Sequence, residues 1–163
     1  MIQAAVLTIS DSVSAGRRTD VSGPAVRARL EQLGWSVSAP EALPDELEVI
    51  SRRLAALADG NQLSAIFTTG GTGVAARDVT PEATRAAIDR DIPGLAELMR
   101  AVGRLSTPLA VLSRGVVGVR GRVLIVNLPG SPRGAVESLE AIIGVVPHVF
   151  ELLRGETEHS AGN

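Results

Sequence analysis

The chain has 163 residues, which is enough for one domain with a sizeable hydrophobic core. Its net charge is −2 and its arginines are scattered among carboxylates, which argues against a nucleic-acid-binding face. Cys and Lys are absent and all 16 basic residues are Arg, which excludes thiol catalysis, zinc-thiolate sites, a Schiff-base lysine and the P-loop lysine.

The sequence also bears on location. No apolar run approaches the roughly 18 residues that a membrane span requires. The first residues lack the positively charged segment of a signal peptide. We therefore expect a cytoplasmic protein that has neither a membrane nor a nucleic-acid partner.

The first part of the chain predicts a strand, a loop and a helix. Residues 2–9 form an apolar run typical of a buried strand, and the polar residues 10–21 are expected to form a loop. A helix is predicted to begin near Ser22, with Pro24 in its first turn, and to end at Gly34.

The middle of the chain repeats this alternation. Residues 35–40 are a second strand candidate, a second helix is predicted from near Pro44, and residues 63–69 are a third strand. A glycine-rich loop follows that strand directly. Thr80 is predicted to be the N-cap of the next helix, which reaches about residue 90.

The last part adds two helices and a hairpin. A helix is predicted over residues 93–103, and the apolar runs 116–119 and 122–127 are predicted to pair as a hairpin. Ser131 is predicted to cap the final helix, which Pro147 kinks or restarts.

Strands that alternate with helices predict an α/β sandwich with a mostly parallel sheet, to which the hairpin adds one antiparallel strand. We expect one domain over residues 1–155. Residues 156–163 are small and polar, and we expect them to be a disordered tail.

Three loops with polar residues are predicted to meet at one edge of the sheet. They span residues 10–12, 70–80 and 127–131. Ligands of open α/β sheets bind outside the carboxyl ends of the strands. One site built from all three loops is therefore the simplest hypothesis.

The loop at Gly70-Gly71-Thr72-Gly73 predicts a phosphate-binding site. Glycines allow positive φ and close approach of the backbone, so successive N–H groups can surround an anion. Residues 71–76 also match G-x-G-x-x-A, a dinucleotide-binding pattern. That pattern opens a helix directly after the first strand, whereas here Pro81 delays the helix and the loop follows the third strand, so NAD binding is disfavoured.

Several side chains near these loops have two interpretations. Asp78 is placed for chemistry beside the phosphate loop, where Mg²⁺ would offset its charge, or for helix capping. Spacing alone favours Asp45 as a first-turn helix acid, and Asp11 is equally ambiguous. Ser131 could cap a helix or bind phosphate there. For His148, in an apolar helical stretch, packing is favoured over catalysis.

Several motifs occur in a fixed order from about residue 2 to residue 154. The main run is Thr69-Gly70-Gly71-Thr72-Gly73 followed by Arg77-Asp78-Val79-Thr80-Pro81-Glu82-Ala83-Thr84. The others are Ser10-Asp11-Ser12, Ser22-Gly23-Pro24, Pro44-Asp45-Glu46, Leu112-Ser113-Arg114, Gly118-Val119-Arg120-Gly121 and Asn127-Leu128-Pro129-Gly130-Ser131. Together they resemble the molybdopterin adenylyltransferases, the family of MogA- and MoaB-like proteins and of the gephyrin G domain.

This resemblance implies a three-layer α/β/α sandwich, the molybdopterin-binding fold. It implies Mg²⁺-dependent transfer of AMP from ATP to the terminal phosphate of molybdopterin, with release of pyrophosphate. It also implies a homotrimer and a product that is the substrate of a molybdenum-insertion protein, a possible contact partner. The alternative is a non-catalytic molybdopterin-binding protein of the same fold.

The resemblance also implies roles for individual residues. Asp45 and Asp78 match catalytic carboxylates, which reverses the interpretation of Asp45 from spacing, and Asp78 is the candidate Mg²⁺ ligand. Arg77 or Arg114 would help to neutralise phosphate charge. The residues assigned to the nucleotide are Thr69, Gly70, Gly71, Thr72 and Gly73. The residues assigned to molybdopterin are Ser10, Asp11, Ser12, Asn127, Pro129, Gly130 and Ser131.

Overall fold

The computed structural model describes residues 1–155 and shows a mostly parallel sheet between two layers of helices. The predicted tail at residues 156–163 lies outside the described residues. The strands are β1 (Gln3–Ile9), β2 (Ser36–Val37), β3 (Glu41–Leu43), β4 (Ala65–Thr69), β5 (Arg90–Asp91), β6 (Val117–Arg120) and β7 (Val123–Leu128). The α-helices are α1 (Asp11–Ser14), α2 (Ser22–Gln32), α3 (Leu47–Asp59), α4 (Thr80–Ala87), α5 (Pro93–Gly103), α6 (Pro132–Ile143) and α7 (Val146–Arg154), and a 3₁₀ helix spans Pro108–Leu112.

The order of the strands places the ends of β1, β4 and β7 side by side. The sheet runs β2-β1-β4-β7-β6-β5, and β3 also pairs with β1. The three central strands are parallel, while β6 is antiparallel to both of its neighbours. This confirms the predicted parallel sheet with an antiparallel hairpin strand. It also brings three carboxyl-terminal strand ends to one edge.

The core lies in two clusters, one on each face of the sheet. Helices α2, α5, α6 and α7 cover one face, and helices α3 and α4 cover the other. Neighbouring residues of β4 show the alternation, because Phe67 belongs to the first cluster and Ile66 to the second. Both are fully buried. The three-layer sandwich that the motifs implied is therefore confirmed.

Several short elements differ from the predictions. The region predicted as a loop over residues 10–21 contains α1. Of the strand predicted over residues 35–40, only β2 forms, and β3 follows it outside that range; both strands pair with β1. Helix α3 begins at Leu47 rather than near Pro44. Helix α4 ends before residue 90, because Arg90 and Asp91 pair with β6 as strand β5. No helix of residues 1–155 has the length and apolar character needed to cross a membrane.

Candidate functional site

The three loops predicted to form a site do meet at one edge of the sheet. The Gly70 N–H donates to the Leu128 carbonyl across 3.1 Å, which joins the loops after β4 and β7. A Cβ on Gly130 would lie 3.3 Å from the Gly70 Cα, so the two backbones are in close contact. On the other side, a Cβ on Gly70 would lie 2.5 Å from the Ile9 carbonyl at the end of β1.

The glycine loop requires glycine because of its backbone and its surroundings. Gly70 and Gly71 have φ of +92° and +67°, a region that L side chains rarely adopt. A Cβ on Gly71 would lie 2.3 Å from the Thr80 hydroxyl oxygen. The loop therefore presents backbone rather than side chains to the space beside it.

Thr80 holds the glycine loop instead of capping a helix. The prediction that Thr80 is the N-cap is wrong, since α4 begins at Thr80 and Val79 occupies the cap position. The buried Thr80 hydroxyl donates to the Gly70 carbonyl across 3.0 Å, and its N–H donates to the Gly71 carbonyl across 3.1 Å. The start of α4 is thereby fixed to the loop, so Thr80 has a role that its cap-like sequence position did not reveal.

Asp78 points back at the glycine loop. Its Oδ2 accepts a hydrogen bond from the Ala75 N–H across 2.9 Å. The same oxygen would lie 2.8 Å from a Cβ on Gly73. The carboxylate therefore lies directly beside the loop predicted to hold phosphates.

Asp45 also approaches the glycine loop. It precedes the N-cap of α3, so the interpretation as a first-turn acid of that helix is wrong. Its Oδ2 accepts the Asp11 N–H, and its own N–H donates to Asp11 Oδ1, each across 3.0 Å. Its Oδ1 would lie 3.1 Å from a Cβ on Gly71. This reciprocal pair fixes the Asp45 carboxylate in place.

The electrostatic environments of Asp11 and Asp45 are opposite. Burial raises the pKa of Asp45 above its ordinary value, and the charges of Asp11 and Asp78 add to that effect, against the Asp11 N–H. The Arg77 guanidinium lowers the pKa of Asp11 by donating Nε to Oδ2 across 2.6 Å and Nη2 to Oδ1 across 2.9 Å. Of these two carboxylates, Asp45 therefore gains more from a nearby cation.

Arg114 contacts the glycine loop, which the spacing of residues in the sequence did not predict. Its Nε donates to the Gly73 carbonyl and its Nη2 to the Asp78 carbonyl, each across 2.7 Å, while its Nη1 pairs with Glu82. The Arg114 N–H donates to the Thr72 carbonyl across 2.8 Å. The Leu-Ser-Arg motif marked this residue, but its contacts depend on the fold.

The third loop combines capping with the lining of a cavity. Ser131 caps α6 as predicted, with its hydroxyl accepting the Gly134 N–H across 3.1 Å. Asn127 is buried, and its amide bonds to the Val116 N–H, the Thr68 hydroxyl and the Thr84 hydroxyl. The Asn127 side chain is therefore committed to the protein, although the residue borders a cavity.

Two cavities meet at Ser131. The first, of about 260 Å³, extends from Thr72 and Gly73 past Pro129 to helices α5 and α6. The second, of about 740 Å³, lies between Gly130, Ser131 and the arginines at positions 17 and 18. Together they provide a two-part site that the glycine loop and Ser131 border.

The first loop contains a helix cap, and His148 lies at the surface. Ser10 caps α1 by accepting the Val13 N–H across 3.2 Å, and its hydroxyl lies 3.2 Å from that of Ser12. His148 is exposed and contacts Glu151 across 2.9 Å, so the prediction that it packs in the core is wrong. It lies on α7 and in none of the three loops.

Comparisons with known proteins agree with this architecture. The family model described as "Probable molybdopterin binding domain" matches residues 5–148. A molybdopterin adenylyltransferase of Helicobacter pylori is 39% identical over 156 residues, which cover 94% of this chain and 89% of the relative. The Escherichia coli K12 molybdopterin adenylyltransferase is 38% identical over 92% of this chain and 84% of its own.

A solved structure gives the same result. The crystal structure of the molybdopterin biosynthesis enzyme MoaB from Thermus thermophilus has 53% sequence identity and a TM-score of 0.88. The match covers 95% of this chain and 98% of the MoaB chain. The resemblance drawn from the motifs is thus confirmed, and the chain belongs to the molybdopterin-binding domain family of molybdenum cofactor biosynthesis.

Proposed function

We propose that this protein transfers AMP from ATP to the terminal phosphate of molybdopterin, with release of pyrophosphate. The observation that carries the proposal is the position of two carboxylates, Asp45 and Asp78, against a glycine loop that presents its backbone. The curated relatives named molybdopterin adenylyltransferase support it, because they match almost the whole chain.

We assign the phosphates of ATP to the loop from Thr69 to Gly73. The Thr69 side chain is buried and lies 2.9 Å from the Ser22 hydroxyl, so Thr69 would contribute through its backbone. Molybdopterin would occupy the cavities that border Ser131. The residues proposed to contact it are Ser10, Asp11, Ser12, Asn127, Pro129, Gly130 and Ser131, with Asn127 acting through its backbone.

The proposed chemistry needs little from a general base. A phosphate oxygen of molybdopterin attacks the α-phosphorus of ATP, and a new P–O bond forms while the bond from the α-phosphorus to the bridging oxygen breaks. The nucleophile is already an anion, so the barrier comes from orientation and from repulsion between anions. The protein contributes by holding both substrates in line and by surrounding phosphate oxygens with N–H groups.

The carboxylates of the site fit a magnesium ion that shares its ligands with phosphate. Mg²⁺ binds through one or two carboxylates together with substrate phosphates and water. Asp45 and Asp78 provide two such groups, and no cluster of three or more His, Cys, Asp or Glu suited to a metal occurs among residues 1–155. When bound, Mg²⁺ would supply charge neutralisation. Asp78 and Asp45 would hold it.

The decisive experiment is incubation of the protein with molybdopterin, Mg²⁺ and ATP, followed by detection of adenylated pterin and pyrophosphate. We expect both products in equal amounts. Their absence from a folded protein that binds molybdopterin would contradict the proposal. In that case, calorimetric titration with Mg·ATP would show whether the protein is a pterin carrier that binds no nucleotide.

We also propose a homotrimer in the cytoplasm that hands its product to a molybdenum-insertion protein. Exposed apolar side chains at Leu105, Leu109 and Val111 support self-association. The location follows from the proposed use of ATP. Contact with an insertion protein follows from the proposed product, which is that protein's substrate.

A further inference from the structure

We propose that Arg114 is a positioning residue that clamps residues 73–78 by binding the carbonyls of Gly73 and Asp78. In this proposal it does not neutralise substrate phosphate. Only the expected effect of Arg114 on turnover rests on the function proposed above. The clamp itself is a statement about the loop, so it can be tested without nucleotide.

The first support is the direction of the Arg114 hydrogen bonds. Each guanidinium nitrogen has an acceptor within the protein, because Nε and Nη2 bond to the carbonyls of Gly73 and Asp78 and Nη1 pairs with Glu82. Those carbonyls lie at the two ends of the segment that carries Ala75 and Arg77. The planar guanidinium group therefore fixes the distance between the glycine loop and Asp78.

The second support is the position of the side chain relative to the cavities. The cavity beside the glycine loop is lined by Ser113 and Gly115, which flank Arg114, but not by Arg114 itself. Arg114 instead borders a separate pocket together with Arg85 and Asp91. A ligand in the first cavity would thus face the loop, with Arg114 on the far side.

The third support is the rigidity of the segment from which Arg114 projects. The buried Asn127 amide accepts the Val116 N–H across 3.0 Å, and the Asn127 N–H donates to the Val116 carbonyl across 3.0 Å. Val116 is buried next to strand β6. The clamp is therefore anchored to the centre of the sheet through β7. The buried Asn127 side chain forms part of that anchor.

The test uses limited trypsin digestion of the full chain without ligands. Trypsin cuts after Arg in this lysine-free chain, and Arg77 lies inside the clamped segment. A hydrogen bond to a charged group changes an opening equilibrium by about tenfold or more. We expect Arg114→Gln to accelerate cleavage after Arg77 by that factor, while cleavage within helices α2 and α3 stays unchanged.

The controls separate the clamp from its alternatives. Arg52→Gln makes the same chemical change at an exposed ion pair on α3; it removes the cut site at position 52 but should leave the rate of cleavage after Arg77 unaltered. Unchanged cleavage after Arg77 in Arg114→Gln, or equal acceleration at all sites, would overturn the clamp. If Arg114→Gln does not fold, Glu82→Gln removes one anchor of the guanidinium and should give a smaller but selective increase at Arg77.

A second arm distinguishes geometry from charge. Arg114→Lys keeps the charge but cannot reach both carbonyls and Glu82 together, so we expect cleavage after Arg77 close to that of Arg114→Gln. Wild-type protection together with wild-type turnover in Arg114→Lys would show that charge alone suffices and would reject the clamp. If the wild type transfers no AMP but the Arg114 variants still show faster cleavage after Arg77, only the proposed function is rejected.

Discussion

Asp45 occupies an unfavourable electrostatic position that a ligand would relieve. Its carboxylate is partly buried and feels the charges of Asp11 and Asp78, which together raise its pKa. The Asp11 N–H offsets part of this cost by donating to Oδ2. Charged groups held at a cost are typical of functional sites, since the binding partner supplies the missing compensation.

We predict that Asp45→Asn is more stable than the wild type at neutral pH without Mg²⁺. The pKa of Asp45 in the folded state lies above its ordinary value of 3.8, so the folded state binds more protons in the interval between the two. Stability from this group is therefore present below the ordinary value and is lost as pH rises through the folded pKa. Asparagine removes that loss and can still accept the Asp11 N–H.

Thermal unfolding between pH 3 and pH 8 provides the measurement. The two melting temperatures should agree at the acid end and diverge as pH rises, by roughly 2–4 °C for each kcal/mol of destabilisation that the buried charge causes in the wild type. Equal melting temperatures at neutral pH would contradict the assigned environment of Asp45. Adding Mg·ATP should stabilise the wild type more than the variant.

A second residue-scale prediction concerns Asp78→Asn. The fold should persist, because an amide oxygen can accept the Ala75 N–H as the carboxylate does. Turnover should fall roughly 10²–10³-fold, or about 3–4 kcal/mol, which is typical for the loss of one electrostatic contributor. Pyrophosphate release, with melting temperature as the control for folding, measures this. Near-normal turnover in a folded variant would remove Asp78 from the mechanism.

At the scale of elements, the long apolar strands and the loops after them were predictable from the sequence. β1, β4 and β7 read as apolar runs, and a parallel sheet must gather the loops at their carboxyl ends. Strand β5 could not be found, because its two residues are exposed charged side chains whose place depends on pairing with β6.

The contacts within the site could not be predicted from the sequence either, because they also depend on pairing between distant segments. Thr80 has the composition of an N-cap, but the fold uses its hydroxyl to hold the Gly70 carbonyl. Asp45 and Asp11 are 34 residues apart, and Arg114 is 41 residues from Gly73. Spacing identifies such residues as candidates, whereas their partners depend on how separate loops converge.

We predict that Gly71→Ala is far more damaging than the matched change Gly121→Ala. Both glycines have positive φ, but a Cβ on Gly121 meets nothing within 4 Å, whereas a Cβ on Gly71 lies 2.3 Å from the Thr80 hydroxyl. Gly121→Ala should cost about 1–2 kcal/mol from backbone strain alone. Gly71→Ala should cost about 1–3 kcal/mol more from the clash and weaken binding of Mg·ATP.

Urea denaturation gives both stabilities, and calorimetry gives the nucleotide affinity. Equal costs for the two variants would mean that Thr80 moves aside without consequence. The Thr80 bond to the Gly70 carbonyl would then be dispensable for the shape of the loop.

At the scale of the whole molecule, exposed apolar side chains cluster around the 3₁₀ helix. Leu105 is 88% exposed, and Leu109, Val111 and Leu112 are also exposed. If these side chains form the subunit contact of the proposed trimer, Leu105→Glu buries a charge there, and we predict a shift towards monomers in analytical ultracentrifugation. Leu33→Glu, at an exposed site after α2, is the matched control and should leave the assembly intact. An unchanged trimer in Leu105→Glu would place the contact elsewhere.

The pairing of β1, β4 and β7 has a consequence for the order of events during folding. Each of these parallel pairs joins segments about 60 residues apart, so the three site loops meet only after two large chain closures. During synthesis, the complete three-loop site cannot form until the segment through Ser131 has emerged. The ligands of the proposed function, ATP and molybdopterin, would therefore bind only after folding. We expect them to slow unfolding and to leave the rate of folding unchanged.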